Sequence, residues 1–523
     1  MKKLSRRDFI RLMGLGAGAA ALNACQPILN LPAAPTSTLI PPTLAVTTAP
    51  RPPLEFTLRA DKGEASILSG TKTRVWQYHP TVTGGDENAI QTLPGTYLGP
   101  IIHAWRGQTL RVHLENALPE PTIVHWHGLR IPEEADGHPR LAIDTGQTYD
   151  YEFTIVNRAG TYWFHPHPHM RTGAQAYFGM AGLLIIHDDE EQAAGLPSGA
   201  FDLPLVIQDR VFDADNQLLY NASMMDAMQG FLGDTVLVNG QANFRLPVAA
   251  QPHRLRLLNG SNARIYKLAF SDGSPLTVIG SDGGLLQTPV TREYVALAPA
   301  ERVELWVDFS RYKQGETVKL ISQEFVSSTE GMMGGGMGMG GLPQGIPLNL
   351  AEFSIEQEAT DSPALPPALS NPNFDHPEDS SAARRFEFAM QGMIGTINGL
   401  QFDMENVTDN ETVKAGALET WEFANIPGRG MGMMGNMAQP HPVHMHGVQF
   451  QVLSRKVDSA YQSMADTLSA GFVDDGWKDT VLTLPGMTVQ VLVRFSEYTG
   501  LYMYHCHNLE HEDNGMMRNF RVA

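Results

Sequence analysis

The chain has few cysteines and few basic residues. Its 523 residues contain two cysteines, Cys25 and Cys506, so once residues 1–25 are set aside no internal disulfide can form. Lysine and arginine total 37 against 56 aspartates and glutamates, which gives a formal net charge of -19. A surface that binds phosphate groups needs clustered basic residues, so this balance argues against nucleic acid as a partner.

The apolar run at residues 12–22 is too short to cross a bilayer, which takes about 20 apolar residues. It follows the sequence SRRDF at residues 5–9, which is typical of a twin-arginine export signal. Residues 22–25 (LNAC) resemble a lipoprotein cleavage box. Residues 1–25 therefore predict export to the periplasm or cell surface, with a lipid anchor at Cys25. Cleavage after small residues, which would release a soluble protein, is the alternative.

Composition and length favour a mostly β chain of about three domains. Fifty glycines and 35 prolines are typical of turn-rich β structure rather than of helical bundles. A chain of 523 residues is too long for a single core. Residues 26–54 are rich in proline and threonine and carry no charge before Arg51. They predict an extended tether, with an ordinary disordered N-terminal segment as the alternative.

From residue 54 onward the pattern is one of short strands separated by turns. Residues 110–114 and 151–155 alternate apolar and polar side chains, as half-buried strands do. Residues 181–186 are continuously apolar and predict a buried strand. Further strands are predicted at residues 235–238 and 303–307. We expect an all-β chain of three consecutive β-sandwich domains at 55–190, 191–357 and 386–523, with a linker at 358–385.

Histidines concentrate in four short blocks, each of which contains a His-x-His pair. Residues i and i+2 of a strand project from one face, so each pair can direct both imidazoles at one site. Neutral imidazole is a good ligand for copper, zinc, iron or nickel. Four pairs supply eight imidazoles, which is too many for one metal ion and suits a small cluster. The blocks are HWHG at 125–128, HPHPH at 165–169, HPVHMHG at 441–447 and HCH at 505–507.

The last block indicates copper. Cys506 lies between His505 and His507 and projects from the opposite face of the strand. His511 and Met516 follow at intervals of five residues. Together with one further histidine they form the two-His, one-Cys, weak-axial-Met set of a blue copper site. Since the two flanking histidines point toward the cluster, the cysteine backbone forms a short covalent route between two metal centres.

These four blocks resemble the copper-binding segments of multicopper oxidases. Residues 477–517 are especially similar to the bacterial copper-efflux oxidases of that family, and the resemblance covers about residues 55–523. It implies three consecutive cupredoxin-like Greek-key domains, and the middle one should be a copper-free spacer because His253 is its only histidine. It also implies four copper ions, with a one-electron substrate oxidation coupled to four-electron reduction of dioxygen to water.

The resemblance also implies a ligand set. The mononuclear blue copper would be bound by His441, Cys506, His511 and Met516. The single copper of a trinuclear centre would be bound by His125 and His444. The copper pair of that centre would be bound by His127, His165, His167, His446, His505 and His507. His169 has no place in this pattern, and we expect it at the rim of the site.

Two acidic residues are predicted to supply protons for oxygen reduction. Asp136 follows the first histidine block, and Glu512 directly follows His511. Both match acids that the related oxidases use, and a carboxyl held near its working pKa is the usual device for proton delivery. The alternative is that they are ordinary surface carboxylates, and Asp513 could replace Glu512.

The reducing substrate is predicted from two Met/Gly segments, at residues 331–341 and 428–437. Thioethers are soft ligands that suit Cu(I), and the second segment directly precedes a predicted blue-copper ligand. We therefore expect cuprous oxidation, with Met431, Met433, Met434 and Met437 as ligands of the substrate copper. The first segment can equally be a plain flexible linker.

Other readings remain open at this point. One is a laccase-type oxidase of phenols. Others are a non-catalytic copper-binding envelope protein, a copper-free scaffold relative and a copper nitrite reductase, although no ligand is missing and the paired blocks do not suit the last. Dioxygen is the expected second substrate, and the expected state is a monomer.

Overall fold

The computed structural model describes residues 51–93, 95–220, 224–327, 341–360, 362–380, 383–391, 394–427, 438–495 and 497–523. The predicted export signal, the tether up to residue 50 and all the methionines of both Met/Gly segments lie outside these ranges. Within these ranges, no helix has the length and apolar character needed to cross a membrane. The described chain belongs to one compact unit.

The first region forms two facing sheets. Its strands are β1 (Leu54–Ala65), β2 (Thr73–Gly84), β3 (Ile90–Gln91), β4 (Ile101–Trp105), β5 (Thr109–Asn116), β6 (Val124–His127), β7 (Thr148–Thr154), β8 (Gly160–Pro166) and β9 (Gly182–His187). The sheet orders are β2-β1-β5-β7 and β3-β4-β9-β8-β6. Strand β5 buries every second residue, so its apolar side chains fill the space between the sheets.

The middle region repeats this two-sheet arrangement with more strands. They are β10 (Asp202–Arg210), β11 (Thr235–Val238), β12 (Gln241–Ala242), β13 (Arg245–Ala249), β14 (Pro252–Asn259), β15 (Tyr266–Phe270), β16 (Leu276–Ser281), β17 (Gly284–Arg292), β18 (Val295–Leu297), β19 (Arg302–Asp308), β20 (Thr317–Ser322) and β21 (Leu348–Gln357). The sheet orders are β12-β11-β10-β14-β19-β16-β17 and β13-β21-β20-β15-β18. Their shared core is almost entirely aliphatic and aromatic.

The last region also has two sheets. Its strands are β22 (Ala383–Gln391), β23 (Ile394–Ile397), β24 (Thr412–Val413), β25 (Leu418–Asn425), β26 (His441–Met445), β27 (Phe450–Val457), β28 (Thr480–Thr483), β29 (Met487–Arg494), β30 (Gly500–Cys506) and β31 (Met517–Val522). The sheet orders are β23-β22-β25-β29-β27 and β24-β31-β30-β26-β28. The second of these sheets carries two of the four histidine blocks.

Short helices connect the sheets. They are α1 (Thr172–Tyr177), α2 (Asp189–Ala194), α3 (Met224–Gln229), α4 (Gln462–Ala465) and α5 (Leu509–Asp513). Asn508 caps α5, since its side chain accepts a hydrogen bond from the backbone N–H of His511. Helix α5 lies against α1 of the first region and α3 of the middle region. The loop after the HCH block is therefore held by all three regions.

The predicted fold class is confirmed: the chain is all-β and built from cupredoxin-like sandwiches. The strand predicted at 235–238 coincides with β11, and the strand predicted at 303–307 lies inside β19. The strand predicted at 181–186 is shifted by one residue from β9, and the strand predicted at 151–155 overlaps β7, which begins three residues earlier and ends one residue earlier. The precise domain boundaries and the linker at 358–385 stay predictions.

Candidate metal centre

The four His-x-His pairs lie on two pairs of neighbouring strands. In the first region β6 pairs with β8, so that His125 stands opposite His165. In the last region β26 pairs with β30, so that His444 stands opposite His505. The second histidine of each pair lies two residues further along, on the same face. All eight imidazoles are buried, and they meet between the first and last regions.

The imidazoles face one another through their ring nitrogens. The Nε2 atoms of His125 and His444 are 3.3 Å apart, and those of His446 and His505 are 3.1 Å apart. Burial and the neighbouring imidazoles lower the pKa of His125 and His444 well below the usual value, and that of His165 to about 3. Neutral rings keep a lone pair on one nitrogen, and converging lone pairs repel unless a cation lies between them. The arrangement therefore fits a bound metal cluster.

His127 gives a direct test of that fit. Its Nε2 lies 3.0 Å from Oδ1 of Asp479 and 3.1 Å from the hydroxyl of Thr480, so this nitrogen is already hydrogen-bonded. Its Nδ1 is buried and has no hydrogen-bond partner among the described residues. An unpaired polar atom in this position costs free energy, and a metal ion that accepts its lone pair would remove that cost.

Hydrogen bonds from the opposite ring nitrogen fix the orientation of other histidines. The backbone carbonyl of Asp136 lies 2.6 Å from Nδ1 of His125, and the Asp136 carboxylate lies 2.7 Å from Nδ1 of His446. Nδ1 of His505 lies 3.2 Å from the backbone carbonyl of Cys506, and the Glu512 carboxylate lies 3.1 Å from the same nitrogen as an ion-pair contact. Partners of this kind leave Nε2 free as the ligand atom, which is the usual arrangement around protein-bound metals.

The two acids have different electrostatic surroundings. Both are buried, so neither is an ordinary surface carboxylate. Burial raises the pKa of Asp136 well above its usual value. Burial also opposes the charge of Glu512, but the imidazoles of His167 and His505 outweigh it and lower the Glu512 pKa to about 2. Both acids contact the histidine cluster, and their role in proton supply stays a prediction.

A second cluster lies on the other side of Cys506. The Cys506 sulfur is 3.4 Å from Nδ1 of His441 and 3.6 Å from Nδ1 of His511, and those two nitrogens are 3.2 Å apart. All three side chains are buried. Burial raises the pKa of the Cys506 thiol, so a thiolate here needs a cation beside it. A soft cation such as copper fits this donor set.

Met516 is brought back to this cluster by the turn of α5. Its backbone N–H donates to the carbonyl of His511 at 2.9 Å, and its carbonyl accepts from the N–H of Cys506 at 3.0 Å. Its side chain is buried. Cys506 is bonded through its backbone to His505 and His507, which belong to the first cluster, so the two clusters share one covalent path.

His169 lies within the described residues, and the four methionines predicted to bind substrate copper do not. His169 is exposed, and its ring is tilted against that of Phe402, with ring centroids 5.3 Å apart. Met431, Met433, Met434 and Met437 lie outside the described residues.

Sequence reasoning missed several residues that hold the clusters in place. Asp479 and Thr480 contact His127 and His444, and Arg302 pairs with Asp479. The carbonyl of Met228 in α3 lies 3.1 Å from Nε2 of His511. Among these residues, only Asp479 and Thr480 had a signal in the sequence, because they lie in the string WKDTV at 477–481. That string is part of the resemblance to the multicopper oxidases, but the resemblance gave no role to its residues.

Comparison with known proteins agrees with this geometry. Family models described as multicopper oxidase match residues 74–191 and 370–523. The multicopper oxidase mco of Staphylococcus aureus is 32% identical over 90% of this chain and 88% of its own length. The laccase of Bacillus subtilis is 31% identical over 86% of this chain and 90% of its own. The cell division protein FtsP of Yersinia pestis is 31% identical over 98% of this chain and 97% of its own.

Solved structures match as well. The McoA multicopper oxidase of Aquifex aeolicus superimposes with a TM-score of 0.73 at 32% identity, over 90% of this chain and 96% of that one. A multicopper oxidase of Campylobacter jejuni, described as a metallo-oxidase, gives a TM-score of 0.71 at 27% identity, over 90% and 91% of the two chains. With its histidine blocks gathered into two clusters, the chain belongs to the multicopper oxidase family and is an oxidoreductase that uses four copper ions, one at a blue site and three at a trinuclear centre.

Proposed function

We propose that this multicopper oxidase oxidises Cu(I) and transfers the electrons to dioxygen, which is reduced to water. The choice of Cu(I) as the substrate rests on one observation, which is that helix α3 covers the ring of His511. Helix α3 lies against α5, and the Met228 carbonyl lies 3.1 Å from the outer nitrogen of the His511 ring. The ring itself is buried.

The proposed ligands are those that the two clusters bring together. The blue copper would be held by His441, Cys506, His511 and Met516. The trinuclear centre would be held by His125, His127, His165, His167, His444, His446, His505 and His507. Bound copper supplies one-electron redox chemistry at the first site and a place for four-electron reduction of dioxygen at the second.

Each part of the chain has a role in this proposal. The Cys506 thiolate and its backbone connect the site of electron entry to His505 and His507. Asp136 orients His446 through a 2.7 Å hydrogen bond, and Glu512 lies 3.1 Å from His505. We propose the same two acids as the source of protons, because both are buried and both contact histidines of the cluster.

Cu(I) suits the cover over His511 better than a bulky phenol does. A phenol transfers its electron through close contact with the edge of a ligand imidazole, and α3 occupies the outer edge of His511. A Cu(I) ion needs soft donors, and the sequence of α3 includes Met225 and Met228. Met431, Met433, Met434 and Met437 precede His441 in the sequence, and we propose them as further donors. The C. jejuni metallo-oxidase adds support by similarity.

Two other functions have specific support. A laccase activity toward phenols is favoured by the similarity to the B. subtilis laccase. A non-catalytic role in the cell envelope is favoured by the similarity to FtsP, which extends over almost the whole chain. Against the second stands the completeness of the ligand set, since a scaffold would gain nothing from eight buried imidazoles that face one another.

We also propose that the protein acts outside the cytoplasm as a monomer. The support is the twin-arginine pattern at residues 5–9, the apolar run at 12–22 and the lipoprotein-like box that ends at Cys25. A lipid on Cys25 followed by the Pro/Thr-rich segment would tether the enzyme to a membrane surface. Labelling with a radioactive fatty acid in parent and Cys25→Ala cells tests the anchor.

The deciding experiment compares two substrates on purified, copper-loaded protein. Oxygen uptake is measured with Cu(I) and with 2,6-dimethoxyphenol, over a range of concentrations of each. We expect kcat/KM to be higher for Cu(I). A higher value for the phenol would replace the cuprous proposal with the laccase alternative, and no oxygen uptake with either substrate would support the non-catalytic one.

A further inference from the structure

We propose that Arg302, which belongs to the middle region, positions the trinuclear ligand His127 through Asp479. The middle region contributes no histidine to either cluster, so it was expected to act only as a spacer. The inference rests on the ligand set proposed above, and it adds a residue that supports one of those ligands. Arg302 is a positioning residue, since it touches Asp479 and not the copper site.

The guanidinium of Arg302 uses all five of its N–H groups and is fully buried. Nη1 donates to Oδ1 of Asp479 at 2.7 Å, and Nη2 donates to Oδ2 at 2.5 Å. The other three donors go to the backbone carbonyls of Thr161, Ala300 and Asp282, at 3.0, 3.0 and 2.9 Å. One side chain therefore joins strand β8, its own region and the segment that leads into β28.

The contact between Arg302 and Asp479 determines which nitrogen of the His127 ring carries the proton. Oδ1 of Asp479 receives the Arg302 N–H, the Thr480 hydroxyl at 2.9 Å and the His127 Nε2 at 3.0 Å. An oxygen that accepts from a guanidinium and a hydroxyl has no proton of its own to donate. Nε2 of His127 must therefore be the N–H donor, which leaves the lone pair on Nδ1.

Nδ1 of His127 is buried and has no hydrogen-bond partner among the described residues, as is also the case for Nδ1 of His167 and of His507. Nδ1 of His127 is the atom that this arrangement presents to the cluster. The same segment also orients His444, since Nδ1 of His444 donates to the Asp479 backbone carbonyl at 2.8 Å. Lys478 also holds the segment that leads into β28, because its ammonium forms ion pairs with Asp282 at 2.9 Å and with Glu301 at 3.1 Å.

Lysine at position 302 would not reproduce this arrangement. An ammonium is a point charge without the planar fork that contacts both oxygens of Asp479. Asp479 would then be free to rotate, and the position and tautomer of His127 would no longer be fixed. Outer partners of metal ligands typically contribute about 10–100-fold to metal affinity or activity.

The test compares Arg302→Lys with Arg254→Lys in copper-loaded protein. Arg254 is a matched control because it is also buried in the middle region and also pairs with acids, Glu304 and Glu191, but does not touch Asp479. The measurements are thermal unfolding of the copper-free protein, copper per chain during titration with a chelator, and electron paramagnetic resonance of the non-blue copper.

We expect Arg302→Lys to keep the blue absorption while the trinuclear coppers are lost at about 10–100-fold lower chelator concentration, with an altered non-blue resonance. Arg254→Lys should lower the unfolding temperature of the copper-free protein and leave copper binding unchanged. Equal copper affinity in Arg302→Lys and parent would overturn the proposal, and so would equal losses in both variants.

A second variant covers the case in which Arg302→Lys does not fold. Asp479→Asn keeps the size of the side chain, but its NH2 group would meet an N–H of the Arg302 guanidinium in either orientation, so the two-oxygen contact that holds the side chain breaks. It should show the same selective loss of trinuclear copper, and normal binding in Asp479→Asn would contradict the proposal. Copper analysis of the parent protein tests the proposed ligand set separately. Fewer than four coppers per parent chain would contradict that ligand set, independently of the result for the Arg302 variant.

Discussion

The two copper centres are held in different ways. The trinuclear cluster is enclosed by ionisable side chains: Asp136 and Glu512 contact its histidines, and the Arg302–Asp479 pair fixes His127. The blue site has no charged side chain against its ligand nitrogens among the described contacts, and its outer partner is the Met228 backbone carbonyl. Buried carboxyls thus lie against the trinuclear centre, where the proposed proton supply requires them. At the centre that passes single electrons, the group that contacts the outer nitrogen of His511 is a neutral backbone carbonyl.

Substitution of Cys506, which links the two copper centres through its backbone, should have the largest effect on activity. Cys506→Ser replaces the thiolate by a hydroxyl, which is a poor ligand for copper at this site. We expect the protein to fold, to keep its trinuclear copper, and to lose both the intense blue absorption and turnover with any reductant. Absorption spectra and copper analysis of the purified variant make the check, and a surviving blue band would contradict the assignment of Cys506.

Substitution of Asp136 or Glu512 should change the reaction with oxygen at the trinuclear centre and leave the blue copper unchanged. Asp136→Asn and Glu512→Gln keep the shape of each side chain but remove its proton-carrying group, and general acids typically contribute about 100-fold or more to a rate. Each variant should bind four coppers and reduce its blue copper at the parent rate, but reoxidise in oxygen about 100-fold more slowly. Stopped-flow recovery of the blue colour measures this step. Parent rates in both variants between about pH 5 and 8 would remove the two acids from the mechanism.

Substitution of the four methionines that precede His441 should change the oxidation of Cu(I) at the blue copper and leave the trinuclear centre unchanged. Replacement of Met431, Met433, Met434 and Met437 by leucine keeps the bulk of the side chains and removes their soft donors. Cu(I) turnover should fall several-fold while oxidation of a small outer-sphere reductant is retained. Steady-state rates with the two reductants give the answer. Equal losses for both would indicate that the segment has a structural role and does not deliver copper.

The smallest expected effect concerns the packing behind Met516. A Cβ at Gly395 would lie 2.6 Å from the Met516 Cβ and 3.0 Å from its backbone nitrogen, so Gly395→Ala must displace the turn that carries Met516. We expect a shifted blue absorption, an unchanged trinuclear resonance and a loss of about 1–3 kcal/mol in stability. Spectra and chemical unfolding of the variant test this. A change in the trinuclear signal would mean that the two centres are not supported independently.

The parts that sequence could predict are those encoded over short stretches. The alternation at 110–114 predicts the burial pattern of β5, and the His-x-His spacing predicts which imidazoles share a face. Cys506, His511 and Met516 lie within eleven residues, so the blue site is largely visible in one segment. The resemblance then supplied the remaining ligand assignments.

The parts that sequence could not predict depend on contacts between distant segments. Arg302 and Asp479 are 177 residues apart, and nothing distinguishes Arg302 from other arginines of the chain before the fold brings the two together. The same holds for Met228 and His511, which are 283 residues apart. The tautomer of His127 is also invisible in sequence, because it is set by the hydrogen bond at its other nitrogen.

The distance along the chain between facing ligands has a consequence for assembly. His125 and His444 are separated by 319 residues, yet their ring nitrogens are 3.3 Å apart. Copper bound between them closes a very long loop, and it binds the folded chain far better than the unfolded one, so binding and folding are thermodynamically linked. With the proposed ligands, the trinuclear coppers would act as cross-links between the first and last regions of the polypeptide. Chelation should loosen the contact between the first and last regions before it unfolds either one.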